Sequence, residues 1–520
     1  MTARPDRQPD SFVVAARRLL AAIGKQPEAA IAAAWFVFAA ICAVRFPWHG
    51  LWHDDACYIA LGHALASGDY CTTQLPGNPA ETRYPPLHPA ALALCWELGA
   101  TPTRAWWFVA PGLVIAAIGV CFWGRLLHLH LQMRAAPRAA VLVLAAFAPG
   151  WLQVVQCAMS EPWLFTLLPA ALLALGRDGG GHPVRAGLLL GLCSLAKSIA
   201  LVPLVFLAAQ LAARRRPRAA LQLLAAAGML ALPWWLWVWA NASEGESAIL
   251  RYYQGYGGLI CRDFAQLCEV LPERLRDLSS GTVRQAIAGV FTPEVWHVLP
   301  AAARTALVAV TGAGGVAIVG AAAWQARRGP PLFGAACGLW LVQLVLRDAS
   351  WRYSLPVLPV VFAVLLQWTG RCWRVWFAAF AAVSLPASVA LLQFDRAASA
   401  RMWRENIPID GYAQLAAAVR EVVPAHAVIA TEVDAWLHVQ TGRRAVMPAP
   451  MPEHTPCARD SAEFAALCRR EWDLLGVTHA IVDPRLGEPE KSVLFAAWKN
   501  GDFELVDCRL AAGFLLLRRR

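Results

Sequence analysis

The chain has 520 residues, of which 58% are hydrophobic and only 16% are charged, and its mean hydropathy is +0.46. A soluble protein of this length carries more charge, so the composition excludes an ordinary soluble protein and predicts a polytopic membrane protein. The formal net charge of +11 does not indicate nucleic-acid binding, because the Arg residues cluster in short loops between apolar segments.

The apolar segments follow one another from residue 29 to residue 393. A basic segment over 1–28 precedes the first of them, which lacks a small-residue cleavage site and therefore predicts an uncleaved anchor. Long polar loops at 47–104 and 241–302 interrupt the series. About eleven helical spans of roughly 20 residues are predicted. They are 29–46, 105–124, 139–155, 161–176, 184–196, 198–212, 219–240, 303–325, 331–346, 353–369 and 373–393.

The basic clusters predict which ends of these spans face the cytoplasm. If the N-terminus lies inside and the spans alternate, every cluster also lies inside, while both long loops and the C-terminal segment lie outside. Treating 184–212 as one span would invert this order, so two spans are predicted there. The expected location is the bacterial cytoplasmic (inner) membrane. The clusters are 125–138, 177–185, 214–218, 327–328 and 371–374.

Residues 394–520 differ from the rest because short strand-like and helix-like segments alternate there. This alternation predicts a small extracytoplasmic α/β domain behind a transmembrane domain at 29–393. The predicted helices are 410–423, 432–440, 460–475 and 491–499, and the predicted strands are 428–430, 444–447, 478–483, 503–509 and 513–518.

The first long loop contains the adjacent carboxylates Asp54 and Asp55 at the start of a segment with helical spacing. Tyr58 lies one turn after Asp54. An Asp at a helix start accepts backbone N–H bonds and feels the positive end of the helix dipole, so we expect it to stay ionised. The alternative is that both acids only solvate a loop beside a membrane helix.

Further ionisable residues lie at the predicted outer ends of spans. Glu161 follows Ser160, which is expected to cap the helix, and Lys197 interrupts an apolar stretch and is expected to extend outward. Arg347 and Arg352 lie between the later spans 331–346 and 353–369. Such groups are costly at membrane depth and usually face a cavity or a partner. Their placement on one face predicts a shared site, although each alone could be a cap or a solvated helix end.

The chemistry expected on the outer face is group transfer from a membrane-borne donor. No nucleotide is available there, and the chain has no G-x-x-x-x-G-K-[ST] phosphate loop. A lipid-phosphate leaving group needs cations, for which Arg83, Lys197 and Arg352 are candidates. A carboxylate can deprotonate the incoming hydroxyl.

Several short motifs resemble those of the GT-C glycosyltransferases, the polyprenyl-phosphate-sugar enzymes of the protein-mannosyltransferase and lipid A aminoarabinose-transferase type. The segment Asp54-Asp55-x-x-Tyr58 followed by Tyr84-Pro85-Pro86 is similar to their first-loop motif, with Asp55 where Glu is usual. The segment Ser160-Glu161-Pro162 resembles their second acidic site, and Arg352-Tyr353-x-x-Pro356-x-x-Pro359 resembles their late span. The outer-domain turn Thr441-Gly442-Arg443 is also similar. Tyr84 stands where the aminoarabinose transferases have Lys, so that particular substrate is not expected.

The resemblance implies a GT-C-like helical membrane domain and an inverting glycosyltransferase that takes sugar from a polyprenyl phosphate. The acceptor would be a lipid, a glycan or a protein. Asp54 matches the catalytic Asp, and Asp55 and Glu161 complete the acidic candidates, with Glu161 positioning the acceptor or holding a divalent cation. No other cofactor and no nucleic-acid partner are expected. The predicted donor-phosphate or substrate-binding residues are Tyr58, Arg83, Tyr84, Lys197, Arg347 and Arg352.

Two other functions remain open from the sequence: a transporter or flippase of a lipid-linked sugar, and a non-enzymatic membrane assembly factor. Transporters often have repeated halves and broken helices at mid-membrane, which the sequence does not show. An assembly factor would leave Asp54 and Glu161 without a role.

The 14 Cys residues are scattered, without a C-x-x-C pair. Cys57 with Cys71, or Cys261 with Cys268, could pair in an oxidising compartment, and unpaired buried thiols are the alternative.

Overall fold

The structure is a computed structural model of the chain. It describes residues 26–45, 53–104, 106–242, 247–255, 267, 268, 271, 272, 274, 320, 329–345, 351–378, 381, 382, 409–450, 462–482, 493–507 and 514–520. The predicted N-terminal segment 1–28, the loop 241–302 and the spans 303–325 and 373–393 lie largely outside these residues, and Arg347 and Cys261 lie outside them altogether.

Apolar helices dominate the described part of the chain before residue 400. Three helices of the described residues, Pro27–Val44, Trp106–Leu131 and Pro217–Asn241, are long and apolar enough to cross a membrane. The count of eleven spans stays a prediction. The helices are α1 Pro27–Arg45, α2 Asp54–Ala66, α3 Leu87–Glu97, α4 Trp106–Leu131, α5 Ala135–Ala146, α6 Pro149–Val155, α7 Glu161–Leu175, α8 Pro183–Ala196, α9 Leu201–Ala213, α10 Pro217–Asn241, α11 Ala248–Gln254, α12 Pro331–Val345 and α13 Leu358–Trp368.

Most of these helices share one large apolar core, in which α4 packs between α1 and α7, whereas α2 and α3 pack in a second core and α11 in a third. Large aromatic side chains fill its centre: the rings of Trp151 and Phe165 lie 4.4 Å apart, and Trp123 is fully buried beside them. Such rings remove a large apolar area from solvent or lipid and pack in tilted arrangements.

Helices α8 and α10 approach each other closely through two glycines. A Cβ atom on Gly187 would lie 2.4 Å from the carbonyl oxygen of Leu223, and one on Gly191 would lie 2.7 Å from that of Ala227. The spacing of four residues places both glycines on one helix face, the small-x-x-x-small arrangement that lets membrane helices pack tightly. This contact fixes the position of α8, whose last residue precedes Lys197.

The apolar stretch 183–213 is divided at Lys197, as the sequence predicts. The backbone of Lys197 is extended, with φ −155° and ψ 116°, and a short 3-10 turn at Ser198–Ala200 leads into α9. The predicted span 139–155 is not one continuous helix, because it divides into α5 and α6 at Phe147-Ala148-Pro149. A proline disfavours the helical conformation of the residue before it. Ala148, which precedes Pro149, is accordingly extended.

The C-terminal residues form a five-stranded sheet. From one edge to the other, the strands are Arg444–Val446 (β2), Val428–Ala430 (β1), Val477–Val482 (β3), Leu515–Arg519 (β5) and Phe503–Asp507 (β4). Strands β1 to β3 are parallel to each other, and β5 is antiparallel to both β3 and β4. Every strand and helix predicted in this part is present within a few residues of its predicted bounds. They are α14 Ile409–Val422, β1 Val428–Ala430, α15 Asp434–Thr441, β2 Arg444–Val446, α16 Ala462–Leu475, β3 Val477–Val482, α17 Val493–Lys499, β4 Phe503–Asp507 and β5 Leu515–Arg519.

The segment 247–255 joins the first loop to this C-terminal region. Ile249 and Tyr253 of α11 are buried in the same apolar core as Val446 and Trp472. Glu471 of α16 accepts hydrogen bonds from the backbone N–H groups of Ala248 (2.9 Å) and Ile249 (3.1 Å). A carboxylate from another part of the chain thus satisfies two N–H groups in the first turn of α11, and the Ser247 hydroxyl accepts from a third, that of Leu250. On the other side, the hydroxyl of Thr82 donates to the carbonyl of Gln254 at 2.6 Å.

Candidate active site

Asp54 is the first residue of α2, and its carboxylate is held by two side chains from distant parts of the chain. The Tyr84 hydroxyl donates to Oδ1 at 2.7 Å, and the guanidinium of Arg352 donates to Oδ2 at 2.9 Å. Burial raises the pKa of the Asp54 carboxyl, but the charges of Arg352 and Arg83 lower this pKa by a larger amount. The pKa therefore lies well below its usual range. Asp54 is therefore ionised and oriented by its partners.

The expectation that Asp54 would accept backbone N–H bonds is wrong. Among the hydrogen bonds of these two acids that the structure resolves, the backbone contact belongs to Asp55, whose Oδ1 accepts from the Ala56 N–H at 2.9 Å. Asp55 is fully buried. The two neighbouring acids thus differ in surroundings: Asp54 contacts side chains of the candidate site, and Asp55 supports the start of the helix.

A second ion pair lies beside the first. The ammonium of Lys197 donates to Oε1 of Glu161 at 2.7 Å, and both residues are buried. The prediction that Lys197 extends outward is wrong, since its extended backbone directs the side chain to Glu161. Arg352, which pairs with Asp54, also approaches the second pair. Its Nη1 atom lies 4.0 Å from the same Glu161 oxygen.

Ser160 connects Glu161 with α2. The hydroxyls of Ser160 and Tyr58 are 2.9 Å apart, and Lys197 lies 3.4 Å from the Ser160 oxygen. Ser160 is the N-cap residue of α7, as predicted, but its side chain makes no hydrogen bond to the first turn of the helix. The Tyr58 ring packs edge-on against the Tyr84 ring, with 4.8 Å between the ring centres.

Glu81 shapes the turn that presents Arg83 and Tyr84. One oxygen of its buried carboxylate accepts from the backbone N–H groups of Arg83 (2.6 Å) and Tyr84 (2.8 Å), and the other accepts from the Thr72 hydroxyl at 3.0 Å. Burial raises the pKa of Glu81 to about 6, although these hydrogen bonds oppose the shift. Sequence reasoning missed this residue, because an acid in a polar loop is common and only the fold buries it.

Arg83 is directed toward the segment 247–255. Its guanidinium donates to the carbonyl of Tyr252 at 2.9 Å and lies 4.3 Å from the centre of the Tyr252 ring. Arg83 is buried and lowers the pKa of Asp54, so it contributes positive charge to the site. The hydrogen bonds to Asp54 come from Tyr84 and Arg352.

His53, which sequence reasoning also missed, ties the start of α2 to the C-terminal region. Its Nε2 atom is 3.2 Å from Oδ2 of Asp434, the first residue of α15, and its φ of 42° is unusual for a residue other than glycine. The Tyr253 hydroxyl and the Gln74 amide donate to the same Asp434 oxygen.

The pKa values of His53 and Asp434 are shifted in opposite directions. Burial lowers the pKa of His53, but Cys57 and Asp434 raise it well above its usual range. Burial raises the pKa of Asp434, but His53 lowers it below its usual value. The contact is therefore a partly buried ion pair one residue before Asp54, in which Asp434 is buried and His53 is partly exposed.

The structure brings together most of the predicted site residues: Asp54, Tyr58, Tyr84, Glu161, Lys197 and Arg352. Asp55 and Arg83 adjoin this group with contacts of their own. Cys57 and Cys71 are both unpaired thiols. Within the described residues, no three His, Cys, Asp or Glu side chains converge as metal ligands.

No protein-family model and no curated protein sequence matches the chain. Two of the solved structures that share its fold are of one protein. ArnT from Cupriavidus metallidurans bound to undecaprenyl phosphate has a TM-score of 0.56 and 14% sequence identity, over 94% of this chain and 97% of that one. The apo state of the same protein gives 0.52 and 14%, over 89% and 92%. ArnT belongs to the GT-C superfamily. The likeness, at 14% identity, shows that this chain shares the fold of ArnT.

Proposed function

We propose that this protein is a membrane glycosyltransferase that moves a sugar from a polyprenyl-phosphate donor to a lipid, glycan or protein acceptor. Its fold is shared with ArnT, whose crystal structure contains undecaprenyl phosphate. The reaction takes place at the extracytoplasmic face of the bacterial cytoplasmic membrane, where the charge distribution of the loops places Asp54 and Glu161.

One observation supports this proposal most. The guanidinium of Arg352 lies beside the carboxylates of both Asp54 and Glu161. Isolated charges are expensive in an apolar bundle, and buried charges persist when they are paired. Two acids and two cations at the ends of apolar helices combine what the transfer needs, a base for the acceptor and positive charge for a phosphate.

The proposed reaction is a direct displacement. Asp54 accepts the proton from the acceptor hydroxyl, the acceptor oxygen forms the new glycosidic bond, and the bond between the sugar and the donor phosphate breaks. The polyprenyl phosphate leaves with the electron pair of that bond, and attack from the opposite side inverts the anomeric centre. Arg352 and Lys197 stabilise the leaving phosphate, as cations do where charge develops.

The partners of Asp54 explain how a strongly ionised carboxylate can serve as the base. Paired with Arg352, Asp54 is a weak base, because the guanidinium lowers its pKa. A donor phosphate that shares Arg352 would weaken this pairing and raise the basicity of Asp54 toward the range that general-base catalysis favours. The base would then become active when the donor is bound.

Envelope glycans from a deletion strain test the function. We expect one glycan or glycolipid to lose the mass of a single sugar, and the matching polyprenyl-phosphate sugar to accumulate. A plasmid with the wild-type gene should restore the glycan, and one with Asp54→Asn should not. Unchanged glycans would contradict the proposal. Accumulation of the donor on the cytoplasmic side alone would favour a flippase.

A further inference from the structure

A cleft of about 560 Å³ lies between α2 and the C-terminal region, outside the candidate active site. Ala60, His63 and Ala64 of α2 form one side, and His438 and Arg444 form the other. Neither Asp54 nor any of its hydrogen-bond partners lines it. The cleft is therefore a separate place where a ligand can contact both parts of the protein.

The lining combines small apolar side chains with polar groups. Thr73, Asn78 and three histidines provide hydrogen-bond donors and acceptors, and the alanines leave room between them. An acyl chain would need a more apolar lining. Phosphate is disfavoured, since Arg444 is the one Arg or Lys among the described lining residues and Asp69 also lines the cleft.

An aromatic wall adds the feature that suits a sugar ring. The rings of Trp96 and His63 lie 4.5 Å apart, and the Trp96 indole N–H donates to the Ile59 carbonyl at 3.1 Å, which fixes the ring. Sugars have apolar C–H faces that pack on aromatic rings and hydroxyls at their edges that pair with imidazole and amide groups. A cleft with both kinds of surface matches this chemistry.

The opposite wall is also fixed. The Nδ1 atom of His438 is 2.9 Å from the Arg443 carbonyl, which can only accept, so Nδ1 is protonated. In the neutral ring, Nε2 then accepts from the Thr73 hydroxyl at 3.0 Å. Burial lowers the pKa of His438, which favours this neutral form. Groups held in this way bind a ligand with little loss of side-chain entropy.

The position of the cleft relates it to the acceptor. His63 follows Asp54 by nine residues on one helix, about 14 Å along its axis. An oligosaccharide spans such a distance and a monosaccharide does not. We propose that the cleft binds the distal sugars of a neutral oligosaccharide acceptor, an inference that rests on the proposed function for its link to transfer.

The test measures binding by the full-length protein in lipid nanodiscs, using saturation-transfer NMR with maltotriose, cellotriose and mannotriose. The variant His63→Ala/Asn78→Gly removes two exposed polar groups of the cleft, and glycine tolerates the φ of 47° at Asn78. His128→Ala is the matched control, since His128 is likewise an exposed histidine in the last turn of a helix.

We expect at least one trisaccharide to bind the wild type, the double variant to lose five-fold or more of the signal, and His128→Ala to keep it. No binding by the wild type, or undiminished binding by the double variant, would overturn the inference. Asp54→Asn should bind the trisaccharide as the wild type does and lose transfer. Cleft-dependent binding in a protein whose deletion leaves the envelope glycans unchanged would reject the proposed function alone.

Discussion

Arg352 donates to the carboxylate of Asp54 across 298 residues of sequence, and this bond joins the first loop to the beginning of a late apolar helix. The chain therefore holds its candidate base by a cation that a donor phosphate would also attract. This arrangement explains why Asp54, and not its neighbour Asp55, is the expected base.

The variant Asp54→Asn should keep the fold and lose transfer. Its amide oxygen can still accept from Tyr84, but it cannot take the proton of the acceptor, so we expect turnover to fall by about 100-fold or more. The measurement is sugar transfer from a polyprenyl-phosphate donor by the purified variant, with Asp55→Asn as the matched control. An active Asp54→Asn beside an inactive Asp55→Asn would show that Asp55, and not Asp54, is the base.

Removal of the Lys197 charge should destabilise the protein. In Lys197→Met the fully buried carboxylate of Glu161 loses the ammonium that lies 2.7 Å away. Breaking a buried pair from one side costs about 3–5 kcal/mol, which thermal unfolding of the purified protein should reveal. The double variant Lys197→Met/Glu161→Gln should regain most of this stability and remain inactive. Equal stability of the single and double variants would show that the pair is not buried in the way described.

Glu81 should make stability depend on pH. Its pKa is raised from 4.5 to about 6 in the folded protein, so its contribution is present below pH 4.5 and is lost as the pH rises through 6. The loss is about 2 kcal/mol, at roughly 1.4 kcal/mol for each pKa unit. Glu81→Gln can still accept the two backbone N–H bonds and should lack this dependence. Melting temperatures of both proteins between pH 4 and pH 7 provide the test, and a constant difference would contradict it.

The contact between His53 and Asp434 should couple the two residues energetically. Each single variant, His53→Gln or Asp434→Asn, leaves one charge of a partly buried pair without its partner. The double variant should therefore cost less than the two single variants together, by about 0.5–3 kcal/mol. Thermal unfolding of the four proteins forms the cycle, and strict additivity would exclude a direct interaction.

The orientation in the membrane is a prediction from charge placement. Reporter fusions after Arg216 and Arg520 should report the cytoplasm and the opposite side, respectively. The contact between α15 and α2 requires the C-terminus to share the side of Asp54. A cytoplasmic reporter signal at Arg520 would therefore reject the proposed extracytoplasmic site along with the predicted orientation.

Sequence reasoning found the residues that break an expected pattern. Lys197 interrupts an apolar stretch, and Asp54 begins a periodic segment, so both could be selected without the fold. Glu81 and Asp434 could not, because acids are common in polar loops and helix starts and only tertiary packing buries these two.

The side chains of Lys197 and Ser160 differ from expectation for one reason. Local rules predict extension toward water and a capping hydrogen bond, and a buried partner outweighs both. The strand at 428–430 was predicted with its observed bounds, since a short apolar run between turn residues leaves few alternatives.

The anchoring of α11 and His53 by Glu471 and Asp434 affects how the protein is made. Glu471 contacts a residue 223 positions earlier, and Asp434 contacts one 381 positions earlier. The first loop leaves the ribosome long before these acids are synthesised, so a nascent chain cannot anchor α11 and His53 while its last spans are being inserted. This anchoring therefore waits for the end of the chain, and an incompletely made protein contains His53 and α11 without the acids that hold them.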